Sequence, residues 1–149
     1  MLPIDLPEGI DYFAIPWTQV ADESWTQEKK VRVGQEVWIP CFPAQLEANE
    51  AGWPLLRHGT IATHPLSPVE KIPQMYVDYS HFGGDSGAPV LINDEGKVIV
   101  VGLVFAMSRQ TDRSQTPFEE RTTHTPLGLA IAIQSPPIRT IIQQACLEK

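Results

Sequence analysis

The residues best suited to covalent chemistry lie in the glycine-rich segment 82–90. Ser86 follows Gly84 and Asp85 and is itself followed by Gly87. Glycines on both sides let the backbone turn sharply at the serine and leave the neighbouring amides uncovered. An oxyanion-binding site requires such uncovered N–H groups. We therefore expect Ser86 to attack a carbonyl carbon while the amides of Gly84 and Ser86 stabilise the developing charge. A glycine-rich turn with an incidental serine is the alternative.

The residues after Ser86 argue against the nucleophile elbow of α/β-hydrolases. That elbow has a glycine two residues after the nucleophile and then a helix. Here Ala88 occupies that position and is followed by Pro89 and the apolar run 90–92, which is typical of a strand.

Short strands must position this segment, because 14 prolines and 10 glycines divide the chain into short pieces. Residues 93–96 have the composition of a tight turn. Residues 18–31 are polar and are predicted to connect two elements. Residues 127–133 alternate large and small side chains, which is typical of a strand. A helix is predicted after Ser135, which can cap it. Strands are predicted at residues 10–15, 36–39, 55–63, 75–79, 89–92, 97–107 and 127–133. The expected fold class is all-β: a small antiparallel barrel with a C-terminal α-helix.

Composition excludes several classes of function. The net charge is −7, and the longest basic run is Lys29-Lys30, so nucleic acid is not an expected partner. No apolar stretch approaches the roughly 20 residues of a membrane span, and residues 1–10 do not resemble a signal peptide. We expect no membrane association, no metal, no cofactor and a cytoplasmic location. Cys41 and Cys146 are either a pair or two buried thiols, the latter being favoured.

Residues 76–103 resemble the active-serine region of trypsin-like (chymotrypsin-fold) serine peptidases. The Gly-Asp-Ser-Gly-Gly-Pro signature of that family appears at residues 84–89, with Ala88 in place of a glycine. Residues 33–39 resemble the opening strand of the family's second barrel, and residues 126–130 resemble its ending. The resemblance implies an antiparallel Greek-key barrel, the second of the family fold, with the first barrel largely missing. It divides the chain into a remnant strand and linker (1–32) and a peptidase-like domain (33–149).

The same resemblance assigns roles to individual residues. Ser86 is the nucleophile, and Gly84 and Ser86 provide the oxyanion amides. Asp11 is the triad aspartate, and Ser80 is the base of the primary pocket, which would not favour Lys or Arg in a substrate. The edge that pairs with the substrate backbone comprises Phe105, Ala106 and Met107.

Two neighbouring features keep alternatives open. The residue matching Asp85 pairs with a cleaved N-terminus in zymogen-activated family members, but a solvent-facing turn carboxylate or a local cap is equally consistent with the sequence. Residues 108–125 form either a long loop over the pocket mouth or a disordered surface insertion.

The sequence offers no histidine in the place that the family requires. The family's chain order is His, Asp, Ser, yet only ten residues precede Asp11 and none is a histidine. The chain's histidines all follow Asp11: His58, His64, His81 and His124. Loss of the general base costs several orders of magnitude in turnover, so we expect the chain alone to be almost inert.

Together these features predict a serine-peptidase-like half-domain that cleaves a peptide or protein substrate. Cleavage requires a histidine supplied by a missing N-terminal barrel or by a separate polypeptide. Absence of the first barrel would expose an apolar face, so self-association is a further expectation. A non-catalytic peptide- or protein-binding module using the same cleft is the alternative function.

Overall fold

Alternating buried and exposed side chains organise most of the chain into strands. The computed structural model describes residues 8–9, 14–116 and 118–147. The strands are β1 (Glu36–Cys41), β2 (Leu55–Ile61), β3 (Gln74–Asp78), β4 (Pro89–Asp94), β5 (Lys97–Thr116) and β6 (Glu119–Gln134). The α-helices are α1 (Glu23–Glu28) and α2 (Ser135–Leu147), and short 3-10 turns span Trp17–Gln19 and Pro43–Gln45.

The strands form a closed barrel in the order β1-β2-β3-β6-β5-β4, and every neighbouring pair is antiparallel. Strand β4 returns to β1, where Trp38 pairs with Leu91. The first four strands therefore lie in the spatial order 4-1-2-3, which defines a Greek key. The expectation of an antiparallel barrel followed by a C-terminal helix is confirmed.

The predicted tight turn joins β4 to β5. Glu95 and Gly96 have φ angles of 52° and 85°, and the flanking Asp94 and Lys97 pair with each other. Two central residues with positive φ are typical of the hairpin turn whose twist matches that of the strands. The Asn93 side chain also accepts a hydrogen bond from the Gly96 N–H at 2.9 Å.

The barrel interior is filled by the inward-facing residues of its strands. In β6 the small Ala130 and Ala132 are fully buried, whereas Leu129, Ile131 and Ile133 are half-buried, so the predicted period of two is confirmed. Other strands contribute larger residues to the same core: Val37, Ile39, Ile61, Met75, Val77, Val90, Ile92, Ile99, Val101 and Val104. The resulting core supports the loops at the ends of the barrel.

The polar segment 18–31 is more structured than predicted, because it contains α1. Asp22 caps this helix by accepting the Trp25 N–H at 2.8 Å. Ala21 is buried in the barrel core, and Trp25 and Val31 pack against it. The segment is the predicted connection, but the sequence analysis did not predict the helix within it or its packing against the barrel core.

The prediction of a loop or a disordered insertion at residues 108–125 was wrong. Strands β5 and β6 continue beyond the barrel as an exposed two-stranded arm, with Arg109 pairing with Pro126 and Thr116 with Glu119. Threonines are frequent in this arm and favour extended backbone, although none of its described side chains is buried.

The N-terminal predictions lie largely beyond what the structure describes. Asp11 and the rest of residues 10–13 are outside the described ranges, and Ala14 and Ile15 are not in a strand. The derivation of residues 1–32 from a first barrel stays a prediction. Within the described ranges, neither α-helix combines the length and apolar character that crossing a membrane requires.

Candidate functional site

Ser86 lies at the surface in a tight loop between β3 and β4, which we call the serine loop (residues 82–88). Gly84 and Gly87 both have left-handed backbone, with φ angles of 99° and 92°. The turns are closed by hydrogen bonds from the Asp85 N–H to the Phe82 carbonyl at 3.2 Å and from the Ala88 N–H to the Asp85 carbonyl at 3.1 Å. The glycines thus produce the sharp reversal expected from the sequence and leave the Ser86 side chain exposed.

Some backbone N–H groups of the serine loop donate hydrogen bonds within the protein and others do not. The Gly87 N–H donates to the Val104 carbonyl of β5 at 2.7 Å, and the Val104 N–H donates to the Ala88 carbonyl at 2.9 Å. Among the described residues, the N–H groups of Gly84 and Ser86 have no hydrogen-bond acceptor. These are the two amides that the sequence predicts as oxyanion donors.

A second turn packs against the serine loop from the end of β1. The Ala44 N–H of the Pro43–Gln45 turn donates to the Gly83 carbonyl at 2.7 Å. A Cβ atom added to Gly84 would fall well inside 3.0 Å of the Phe42 carbonyl oxygen and 3.3 Å from the Gln45 nitrogen. Ala44 and Gln45 adopt left-handed φ angles of 51° and 64°, an unfavourable conformation for non-glycine residues. This close packing fixes the backbone around the Gly84 amide.

The buried Asp85 side chain stabilises the serine loop with a hydrogen bond to its backbone. Its side chain is fully buried, and Oδ2 accepts the Phe82 N–H at 2.9 Å. Its Oδ1 is buried without a hydrogen-bond partner among the described residues. The local-cap interpretation of Asp85 is confirmed, and the solvent-facing alternative was wrong.

Three more titratable side chains are buried near this carboxylate. Burial, together with a hydrogen bond to the Asp85 carboxylate and the negative charge of that group, raises the pKa of the Cys41 thiol to about 12. Burial, followed by Asp85, also raises the pKa of the Tyr79 hydroxyl. Burial lowers the pKa of His81, although Asp85 acts in the opposite direction. Cys41 is a free thiol, and the side chain of Cys146 lies outside what the structure describes.

The polar atoms of this cluster are incompletely satisfied. The Tyr79 hydroxyl and both ring nitrogens of His81 are buried and have no partner within the described part of the chain. The Arg57 guanidinium also packs against this cluster, with its carbon 5.5 Å from the Tyr79 ring centroid and 5.4 Å from that of Phe82. The cluster beneath Ser86 is therefore aromatic and polar rather than a simple apolar core.

None of the four histidines is hydrogen-bonded to Ser86. His58 stacks on Trp38 with ring centroids 4.7 Å apart. His124 lies in the arm, where its Nδ1 is 2.9 Å from the Thr111 hydroxyl, and His64 is exposed after β2. The buried His81 makes no hydrogen bond to any described residue. The described residues thus contain no base in contact with the Ser86 hydroxyl.

The predicted substrate edge lies beside the serine loop in β5. Ala106 and Met107 pair with Ile131 and Ala130 of β6, and a bulge in the ladder leaves Phe105 without a partner there. Bulges redirect side chains at the rims of barrels, and Phe105 is 46% exposed. Since the adjacent Val104 bonds to Gly87 and Ala88, this segment of β5 and the serine loop are held together.

The remaining predicted residues are less closely connected to Ser86. Ser80 is exposed in the segment that leads from β3 into the serine loop, and Asp11 is outside the described residues. Across the described ranges, no three His, Cys, Asp or Glu side chains are arranged to hold a metal ion. Neither a protein-family model nor any curated protein sequence matches this chain.

Proposed function

We propose that this chain is the nucleophile-bearing half of a chymotrypsin-like serine peptidase. One observation carries the proposal. An exposed serine lies between two left-handed glycines, and the Gly84 and Ser86 amides have no acceptor among the described residues. The closed antiparallel barrel that presents this loop is compatible with the second barrel of that family.

In the proposed reaction, the Ser86 Oγ forms a bond to the carbonyl carbon of a peptide. The carbonyl π electrons move to the oxygen, where the Gly84 and Ser86 amides donate hydrogen bonds to the developing oxyanion. Loss of a single such donor typically costs about 10²–10³ in turnover. The C–N bond then breaks, the amine leaves with a proton, and water hydrolyses the acyl-enzyme.

The proton of the Ser86 hydroxyl needs a base that the described residues do not supply. A serine hydroxyl is a weak nucleophile near neutral pH without one. We propose that a histidine comes from a preceding barrel, from a separate polypeptide or from a second copy of the chain. Asp11 stays the proposed triad aspartate that would orient this histidine.

Substrate binding in this proposal uses the strand beside the nucleophile. The Phe105–Met107 edge pairs with the substrate backbone, and the bulge at Phe105 accounts for its exposed ring. Ser80 forms an uncharged pocket base, which disfavours a Lys or Arg side chain because the buried charge would lack a partner.

Labelling with a fluorophosphonate tests the nucleophile directly. The probe reacts with an activated serine hydroxyl and releases fluoride. We expect slow labelling of the wild-type chain and of Ser24→Ala, which removes an exposed serine from α1, but none of Ser86→Ala. Equal labelling of Ser86→Ala and wild type would refute Ser86 as the nucleophile.

A non-catalytic peptide-binding module is the second candidate. The lack of any histidine bonded to Ser86 in the described residues favours it. This alternative predicts that neither wild type nor Ser86→Ala is labelled, even when imidazole is added, and that both bind a peptide with equal affinity.

A further inference from the structure

A recess on the protein surface is lined by the end of α1, the residues that follow it and segment 64–67. It has a volume of about 360 Å³. Leu66 and Pro65 contribute apolar surface to its wall, and Ser67 contributes a hydroxyl group. Leu66 is held in place because its carbonyl accepts a hydrogen bond at 2.9 Å from Gln134, at the end of β6.

This recess is cationic although the chain as a whole carries a net charge of −7. Lys30, Arg32 and His64 line it, and no lining residue is acidic. Among the described residues, no carboxylate forms an ion pair with Lys30 or Arg32. The adjacent Lys29 behaves differently, since its ammonium pairs with Asp94 at 2.9 Å.

The acidic residues at the start of α1 are occupied elsewhere. A Glu23 carboxylate oxygen accepts the Val69 N–H at 3.0 Å. Asp22 caps the helix and has its other carboxylate oxygen 3.8 Å from Arg139. Because they make these other contacts, neither Asp22 nor Glu23 neutralises the charge of Lys30 or Arg32.

Lys30 lies directly after the end of α1 in an energetically unfavourable backbone conformation. Helix α1 ends with hydrogen bonds from the Lys30 N–H to the Gln27 carbonyl at 3.1 Å and from the Val31 N–H to the Thr26 carbonyl at 3.0 Å. Lys30 has a φ angle of 54°, in a position where helices usually have glycine. Left-handed backbone costs a non-glycine residue about 1–2 kcal/mol. Lys30 occupies this position in spite of that cost, and its side chain lines the recess.

We propose that this recess binds a small organic phosphate monoester. The phosphate group lies between Lys30 and Arg32, because guanidinium and ammonium groups donate charge-assisted hydrogen bonds to phosphate oxygens. The organic group lies on Leu66 and Pro65, and the Ser67 hydroxyl provides a further donor. This site is separate from Ser86 and does not depend on the proposed peptidase activity.

Calorimetric titration with phenyl phosphate tests the site. We expect saturable binding, with a dissociation constant on the order of 0.1–1 mM for a few charge-assisted contacts. Lys30→Gln and Arg32→Gln should each weaken binding about 10-fold. Lys29→Gln is the matched control, since it removes the same charge from the adjacent residue, and it should change the affinity less than about 2-fold.

Three results would overturn the proposal. The first is no saturation by phenyl phosphate up to about 10 mM. The second is equal weakening by Lys29→Gln and Lys30→Gln, which would indicate a general effect of net charge. The third is equal affinity for inorganic phosphate and phenyl phosphate, which would mean that the apolar wall takes no part. Unchanged binding by Ser86→Ala would support a site separate from the nucleophile.

Discussion

Replacement of Gly84 by alanine tests whether the packing of the serine loop is as tight as the structure indicates. The added methyl group would collide with the Phe42 carbonyl oxygen, a backbone atom that cannot rotate away. Alanine would also have to adopt a φ angle of 99°. Two separate costs therefore act at one position.

The expected loss of stability follows from those two costs. Overpacking typically costs about 1–3 kcal/mol and left-handed backbone about 1–2 kcal/mol. Reduced freedom of the unfolded chain returns about 0.4–1 kcal/mol. We expect a net loss of about 3 kcal/mol in the free energy of unfolding, which lowers the melting temperature by about 10 °C for a chain of this length.

Substitutions at Gly83 and Gly87 of the same loop separate the cost of the steric collision from the cost of left-handed backbone. At Gly83 an added Cβ meets no atom within 4 Å and φ is not left-handed, so Gly83→Ala should change stability by less than about 0.5 kcal/mol. At Gly87 the space is also open but φ is 92°, so Gly87→Ala should cost about 1 kcal/mol. Guanidinium denaturation of the three variants measures this order. Equal midpoints for Gly83→Ala and Gly84→Ala would refute the described contact with Phe42.

Further predictions concern the cluster beneath Ser86. Asp85→Ala should lower the free energy of unfolding by about 1–3 kcal/mol because the Phe82 N–H loses its acceptor. Asp85→Asn should lower it by less. Midpoints of guanidinium denaturation that coincide with wild type would contradict this prediction. In a Cys146→Ser background, Cys41 should resist Ellman's reagent at pH 8 until the protein unfolds, because burial raises its pKa to about 12; rapid reaction of the native protein would show that the thiol is accessible. The pKa of His81 is lowered on folding from 6.5, so the unfolded chain binds the extra proton and stability should fall as the pH drops below about 6.5. His81→Gln should reduce that fall in urea denaturation whereas the exposed His58→Gln should not, and an identical pH dependence in both variants would refute the assignment.

The barrel was predictable where side chains alternate. Leu129, Ala130, Ile131 and Ala132 differ in size with a period of two, which only a strand places on opposite faces. The hairpin turn was predictable from Gly96 and the polar residues before it. The closing contact of the barrel between Trp38 and Leu91 was not predictable, because strand pairing across distant residues leaves no local pattern.

The failure to predict α1 and the arm has physical causes. Helix α1 has six residues, which is too short for a 3.6-residue period to be recognised. The arm formed by β5 and β6 exposes both of its faces, so its sequence lacks the apolar alternation that identifies a strand. Extended backbone there is stabilised by pairing between the two strands rather than by burial.

The candidate site was predictable in part. The types and spacing of Gly84, Ser86 and Gly87 indicated a sharp turn with free amides. The contact of Ala44 with Gly83 joins residues that are distant in sequence, and nothing near Ala44 signals its left-handed backbone. Burial of Asp85 was equally hidden, since a polar residue in a glycine-rich turn usually faces solvent.

The rate of phosphonylation in the presence of added imidazole tests whether Ser86 is a reactive nucleophile. Imidazole replaces the missing histidine as the proton acceptor, so the rate at the Ser86 Oγ should rise with the concentration of its free base. We expect a single adduct at Ser86, identified by peptide mass mapping, and no imidazole-dependent reaction in Ser86→Ala. An adduct at another residue, or a wild-type rate that does not respond to imidazole, would contradict a reactive serine set among free amides.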